Sequence, residues 1–413
     1  MRIGAIFRKK DALLYWGIII WFVVKIRFYN YVGFPQAVVY ANFAVLFAVG
    51  MFVLCANDIL RIRQHKYISL IAIGVIISSF ISVVFWNASL FRAIQAQGTS
   101  VGLLYVIVYF CLRRWKVEKI TVQNIMLTLA AIYLLCWLYS LYKMPEMIFG
   151  MDRDGEYGEI TERGFYRLFI PGNVSAVLSF YFLGEFLYKR KKIGLCLSLA
   201  MLIVVILHVG RQMIAWTIIM SVIMVFAHYR KRIGYLLMAC IVGCCCLIVV
   251  EEHIPAVSAM IELSNDQSEE FEDDIRVEAS EYFLFDYPRN PITLIFGNGV
   301  PAKDTQLFLI KNRGEDRGYY QTDVGFLAMF CNYGLWGVVL CLLLLWRIIK
   351  IKVEPGYEYF RYYLLFIFGT YLMSQALTSN MFTVMMAYYV LEKSAQDRIT
   401  NNRIRHKYEN MRA

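Results

Sequence analysis

The chain has 413 residues, of which 59% are hydrophobic and 18% charged, and its net charge is +11. Soluble domains carry about 45–50% apolar and about 25% charged residues, so this composition excludes an ordinary soluble protein. Long apolar runs recur from end to end and predict an all-α polytopic membrane protein.

The N-terminal "MRIGAIFRKKD" and the "ALLYWGIIIWFVV" after it are basic then apolar, as in a signal sequence. "KIRFYN" follows in place of a small-residue cleavage site, so the stretch near 12–24 reads as a retained first span. Further apolar stretches of spanning length or slightly less fall near 35–56, 68–87, 94–112, 121–142, 169–188, 193–209, 212–228, 233–250, 319–346, 360–377 and 379–392. The expectation is about twelve transmembrane helices. The first, fourth, seventh and eighth are short or interrupted by polar residues.

Charge assigns the sides. With a cytoplasmic N-terminus, the inside segments hold 28 of the 42 Lys and Arg but fewer than a third of the 31 Asp and Glu. That asymmetry is the positive-inside signal, and it accounts for the basic excess with no nucleic acid partner. Both termini are then cytoplasmic, with 393–413 as a basic tail. The basic clusters at 189–192 and 229–232 flank an apolar segment that must cross an even number of times. It reads as a hairpin whose outer turn, "HVGRQ", puts Arg211 at the external surface. Residues 143–168 form one external loop, and 251–318 a larger one that caps the site. The rest of 1–413 is a single membrane domain.

All ten cysteines lie in or at the ends of apolar runs and read as packing residues. The "CIVGCCC" cluster (Cys240–Cys246) lacks histidines or polar ligands, so no zinc site is expected. "MDRDG" (151–155) contains the Asp-x-Asp spacing of some metal-holding glycosyltransferases, but two residues in an acidic loop are too little, and neither metal nor cofactor is predicted. His253 reads as structural.

Asp323 in "RGYYQTDVGFLAMFCNYGLWG" stands out, because an ionisable side chain inside a span is functional by default. The sequence places it about one turn inside the mouth of the span, facing outward; the plainer alternative is a carboxylate favoured by the helix dipole. The external arginines are Arg153, Arg163, Arg167, Arg211, Arg276, Arg289, Arg313 and Arg317. Guanidinium forks match phosphate oxygens, although most loop arginines pair with loop carboxylates or are solvated. Arg211 has no counter-charge nearby in sequence; Arg276 and Arg317 come next. Tyr320 neighbours Asp323. Gly334 and Gly337 lie three apart, which predicts a small-residue packing face.

These residues, in this order, resemble the bacterial O-antigen and capsular polysaccharide polymerase/ligase superfamily. "GRQ" at 210–212 is similar to its Ser/Gly-Arg turn. "IRVEASEYFLFDYPRNPITLIFGNGV" (275–300) is similar to its large-loop pattern, and "YYQTDVGFLAMFCNYGLWG" (319–337) to the stretch opening the next span. The resemblance covers roughly 190–345. It implies a metal-independent glycosyltransferase of the bacterial cytoplasmic membrane, active on the external face, that uses undecaprenyl-diphosphate-linked oligosaccharide. A flippase and a chain-length regulator of the same pathway would be its protein partners. On this reading Arg211 and Arg276 hold diphosphate and Asp323 activates or orients the acceptor hydroxyl. Arg317, Arg313, Arg289, Tyr320, Arg163 and Arg167 would line the substrate. Ligases of the superfamily carry a histidine at the start of this span, where this chain has Tyr320, Gln321 and Thr322, so polymerase is favoured over ligase. A lipid-linked oligosaccharide flippase or other transporter, and a structural partner in glycan assembly, are the alternatives from other classes.

Overall fold

The computed structural model describes residues 9–26, 37–143, 174–207, 211–229, 234, 275–372, 374 and 376–410. The described residues form helices and no strand. We number the principal helices α1 (Lys9–Ile26), α2 (Ala37–Leu54), α3 (Ile62–Trp86), α4 (Leu90–Ala96), α5 (Ile107–Arg114), α6 (Lys119–Lys143), α7 (Ser175–Lys189), α8 (Lys192–Leu207) and α9 (Arg211–Tyr229). They continue with α10 (Ile275–Glu281), α11 (Pro291–Phe296), α12 (Gln306–Glu315), α13 (Gly325–Lys350), α14 (Tyr359–Thr370) and α15 (Met381–Asn410).

Among the described residues, α3, α6, residues Gln212–Tyr229 of α9, and α13 are each long and apolar enough to cross a membrane. The pair Leu90–Val101 and Leu103–Arg114, bent by 82°, makes a fifth if it is one broken span. Ala12–Lys25, Tyr40–Leu54 and Lys192–Leu207 are apolar but shorter. The stretch expected to span at 94–112, short or interrupted by polar residues, is thus a sharply bent pair of helices. Its hinge is Gly102, packed so closely that a Cβ would lie 2.6 Å from the Thr378 carbonyl oxygen. The span expected at 233–250 lies, apart from Gly234, outside the described residues.

The core is built from the short helices around 103–112 and 359–370 and the first part of α15, enclosed by other long helices. Leu103–Leu112, most of α14 and Met381–Leu391 are buried. A helix that is hydrophobic all round belongs in such an interior. The enclosing helices turn large apolar side chains outward, among them Phe80 and Val84 on α3, Leu135 on α6, and Val339 and Trp346 on α13. A surface of that kind suits hydrocarbon rather than water. At 12 residues α14 is about 18 Å long, well short of the roughly 30 Å of a bilayer core.

α15 does not stop where the predicted basic tail begins; it runs on as helix to Asn410. There it ties two connections to the bundle. Lys119 Nζ lies 2.6 Å from Glu354 Oε2 and 2.7 Å from Asp397 Oδ2. Lys393 donates to the Val117 carbonyl at 2.6 Å, and Arg398 to the Val353 carbonyl at 2.9 Å. Lys119→Ala would leave two half-buried carboxylates facing each other, at a cost of about 2 kcal/mol. The expected result is a lower unfolding temperature in detergent; an unchanged one would show that solvent already screens the cluster.

Candidate functional site

The mouth of α13 is a single 3-10 turn, Gln321–Asp323. Asp323 therefore precedes the span helix instead of lying within its first turn. Its Oδ1 accepts from the Thr322 hydroxyl at 3.2 Å. The helix N-cap is Val324, without any side-chain cap, so the carboxylate is not occupied in capping. Gly325 follows because nothing larger fits: a Cβ there would lie 1.9 Å from the Tyr371 carbonyl oxygen. Phe326 adds a ring contact to Tyr371 at 4.8 Å between centroids.

Arg211 is the first residue of α9; its side chain lies outside the described residues. Trp216, about 7.5 Å further along that helix, packs face-on against Gly369 of α14, whose Cβ would lie 2.3 Å from the indole. Gly369 and Tyr371 are two residues apart, at the C-terminal end of α14. The N-terminal ends of α9 and α13 therefore converge on the same end of α14, and the segments bearing Arg211 and Asp323 share that end. Helix N-termini present unpaired N–H groups and the positive end of the dipole.

A second group of predicted residues gathers around two tyrosines. Tyr282 and Tyr319 lie 5.5 Å apart between ring centroids. The Tyr319 hydroxyl donates to Glu278 Oε2 at 3.0 Å, and that neighbouring carboxylate holds it above the usual tyrosine range. Burial pushes the Tyr282 hydroxyl up as well, opposed by the positive charge of Arg317 and, more weakly, of Arg313. Both guanidiniums are thus within electrostatic reach of one ring. Arg276 shares α10 with Glu278, and the Ile275 side chain next to it packs on Gly318. Arg276, Arg313, Arg317 and Tyr320 are all exposed.

Arg289 has a different position. Its Nη2 donates to the Phe283 carbonyl, and its guanidinium lies 4.7 Å from the Phe330 ring centroid. It fastens the turn after α10 to α13. Arg153, Arg163 and Arg167 lie outside the described residues, as do Asp152, Asp154, His253 and Cys240 to Cys246. Among the described residues no group of three or more His, Cys, Asp or Glu is placed to hold a metal. Cys55, Cys111, Cys136, Cys196, Cys331 and Cys341 are unbridged.

The feature sequence reasoning missed is a break in α13. Gly334 does take a close neighbour, a Cβ there lying 2.4 Å from the Ile295 carbonyl oxygen, but its φ of +63° and ψ of −163° also interrupt the helix. The "FGNG" stretch docks there. Gly297, at φ +79°, approaches so closely that a Cβ would lie 2.2 Å from the Tyr333 nitrogen. Carbonyls released by the break are taken up at once: Asn298 N–H donates to Cys331 at 2.8 Å and Gly299 N–H to Asn332 at 3.1 Å. Ser78 of α3 also donates to the Asn332 carbonyl, at 3.3 Å, and Ser82 to the Val300 carbonyl at 3.3 Å. Gln97 then links Ser78 to the Tyr333 hydroxyl. An isolated glycine in an apolar run is the only local hint of such a break. "NPITLIFGNG" carries the other half: Asn290 and Thr293 form a reciprocal capping box with Pro291 at the first helical position.

No family model matches the chain, and no curated protein matches it.

Proposed function

We propose that the chain is a polysaccharide polymerase of the cytoplasmic membrane, with about twelve spans, both termini inside and the α9/α13 mouth outside. The substrate would be a glycan on undecaprenyl diphosphate. The acceptor sugar hydroxyl attacks the anomeric carbon of the carrier-linked chain. The bond to diphosphate breaks, the hydroxyl proton passes to Asp323, and undecaprenyl diphosphate leaves with the electron pair. Arginine forks and helix N-termini would balance the charge developing on the leaving group, a role that can dominate catalysis. The carboxylate would serve as general base.

The observation that carries this reading is the convergence of two helix N-termini, one led by Arg211 and the other by an uncapped mouth with Asp323, at one end of the buried core. The test is a gel of surface and lipid-linked glycan from cells lacking the gene beside the parent. Loss of the ladder with single repeat units remaining is expected. Full-length polymer retained on carrier lipid would point to a ligase.

One observation favours the transporter reading. The helices broken at Gly102 and Gly334 are of the discontinuous kind that transporters place at their substrate sites. In that case the same gel would show repeat units trapped on the cytoplasmic face.

A further inference from the structure

We infer that residues 291–300 of the large loop are a re-entrant membrane element, and that α11 turns its exposed edge to lipid hydrocarbon.

Two independent rulers place the segment below the membrane surface. α3 is apolar from Tyr67 to Trp86, about 29 Å at 1.5 Å per residue, which matches a bilayer core bounded by interfacial aromatics. Gly299 lies against Ser82 and Ser78, where a Cβ would meet the Ser82 Oγ at 2.1 Å and the Ser78 carbonyl at 2.6 Å. Those residues are one and two turns below Trp86, at depths of about 6 and 12 Å. On α13, Phe326 to Trp346 spans about 30 Å, and Lys350 reaches back over the Trp346 ring at 4.6 Å. Gly334, where Gly297 docks, is about 12 Å below Phe326. Both rulers put "FGNG" well inside the hydrocarbon.

Irregular backbone survives at that depth only when buried in protein with its polar groups paired. Gly297–Val300 meet this condition through their backbone bonds, although the buried Asn298 Oδ1 accepts from no protein group. They are buried, and the N–H groups of Asn298 and Gly299 and the Val300 carbonyl are bonded to α13 and α3. α11 satisfies the complementary condition. Its own backbone is helical and capped, and the side chains it exposes are apolar: Ile292 at 51%, Leu294 at 41% and Ile295 at 47%. α11 packs on α13, whose outward Leu335 and Val339 are 48% and 50% exposed. The two exposed faces thus belong to neighbouring helices at the same depth. In water this edge would be a costly patch; in the bilayer it continues a span's lipid face.

The full-length protein in nanodiscs would be irradiated with phospholipid carrying a diazirine at mid-chain, and its peptides mapped by mass spectrometry. Label on 291–296 is expected at a level similar to 335–343 of α13 and about tenfold above α12, which carries Lys311, Asn312 and Arg313. Label on α13 but none on 291–296 would overturn the inference, since the edge would then face water or another protein. Equal label on α11 and α12 would also overturn it, since the loop would then lie flat at the surface.

Discussion

Asp323→Asn is expected to abolish long glycan chains while leaving the protein folded and abundant. Asparagine keeps the size and can still accept from the Thr322 hydroxyl, the bond made by Asp323 Oδ1. The fold at this point is held by other contacts, chiefly Gly325 on Tyr371 and the Phe326–Tyr371 ring pair. What asparagine lacks is a carboxylate to take a proton, and removal of a general base slows a reaction by about 10²–10⁴-fold. The readout is ladder length on a glycan gel, normalised to membrane protein level. Asp323→Glu, which moves the carboxylate outward by one methylene, should retain part of the activity. A full ladder from Asp323→Asn at normal protein level would remove Asp323 from the chemistry and leave only its place at the helix mouth.

Gly334→Ala should have a large effect on stability. At φ +63° and ψ −163° the backbone sits where side chains are strained, worth about 1–3 kcal/mol. The added methyl would also lie 2.4 Å from the Ile295 carbonyl oxygen and 2.5 Å from the Gly297 nitrogen. Those atoms are backbone of a docked segment and cannot swing aside, so the total loss should reach about 3 kcal/mol or more. Gly50→Ala in α2 is the reference, because nothing lies within 4 Å of its Cβ position; it should be neutral or gain up to about 1 kcal/mol. Thermal unfolding in detergent separates the two. A Gly334→Ala protein as stable as the parent would mean that the break in α13 is not maintained.

Much of the helical architecture is legible in the sequence, because hydropathy and helix length are local properties. The runs at 68–87, 121–142 and 212–228 correspond to α3, α6 and α9 within a few residues. The breaks were not legible, for a physical reason. Gly334 opens its helix because Gly297, 37 positions away, needs the room; Gly102 bends because the Thr378 carbonyl lies against it. Neither cause exists within a window of neighbouring residues, so the sequence does not locate either break, even though the run at 94–112 is short or interrupted by polar residues. The same limit applies to the site. Asp323 could be singled out from its apolar surroundings, and the chain position of Arg211 from its flanking charges. The Tyr282–Tyr319 pair could not, since it forms only when α10 folds back over the chain after α12. Composition likewise does not reveal that Arg289, though exposed, rests its guanidinium on the Phe330 ring.

The burial of Met381–Leu391 has a consequence for how the molecule is made. Insertion proceeds from the N-terminus, so α15 enters after every described helix it packs against. Tyr109 of α5 bonds to Glu392 across 283 positions, with Arg113 3.3 Å from the same carboxylate. Until α15 arrives, Arg113 lacks that counter-ion, and Leu103–Leu112 and α14 lack the helix they pack against. A chain cut short anywhere before Met381 therefore lacks one wall of its own core.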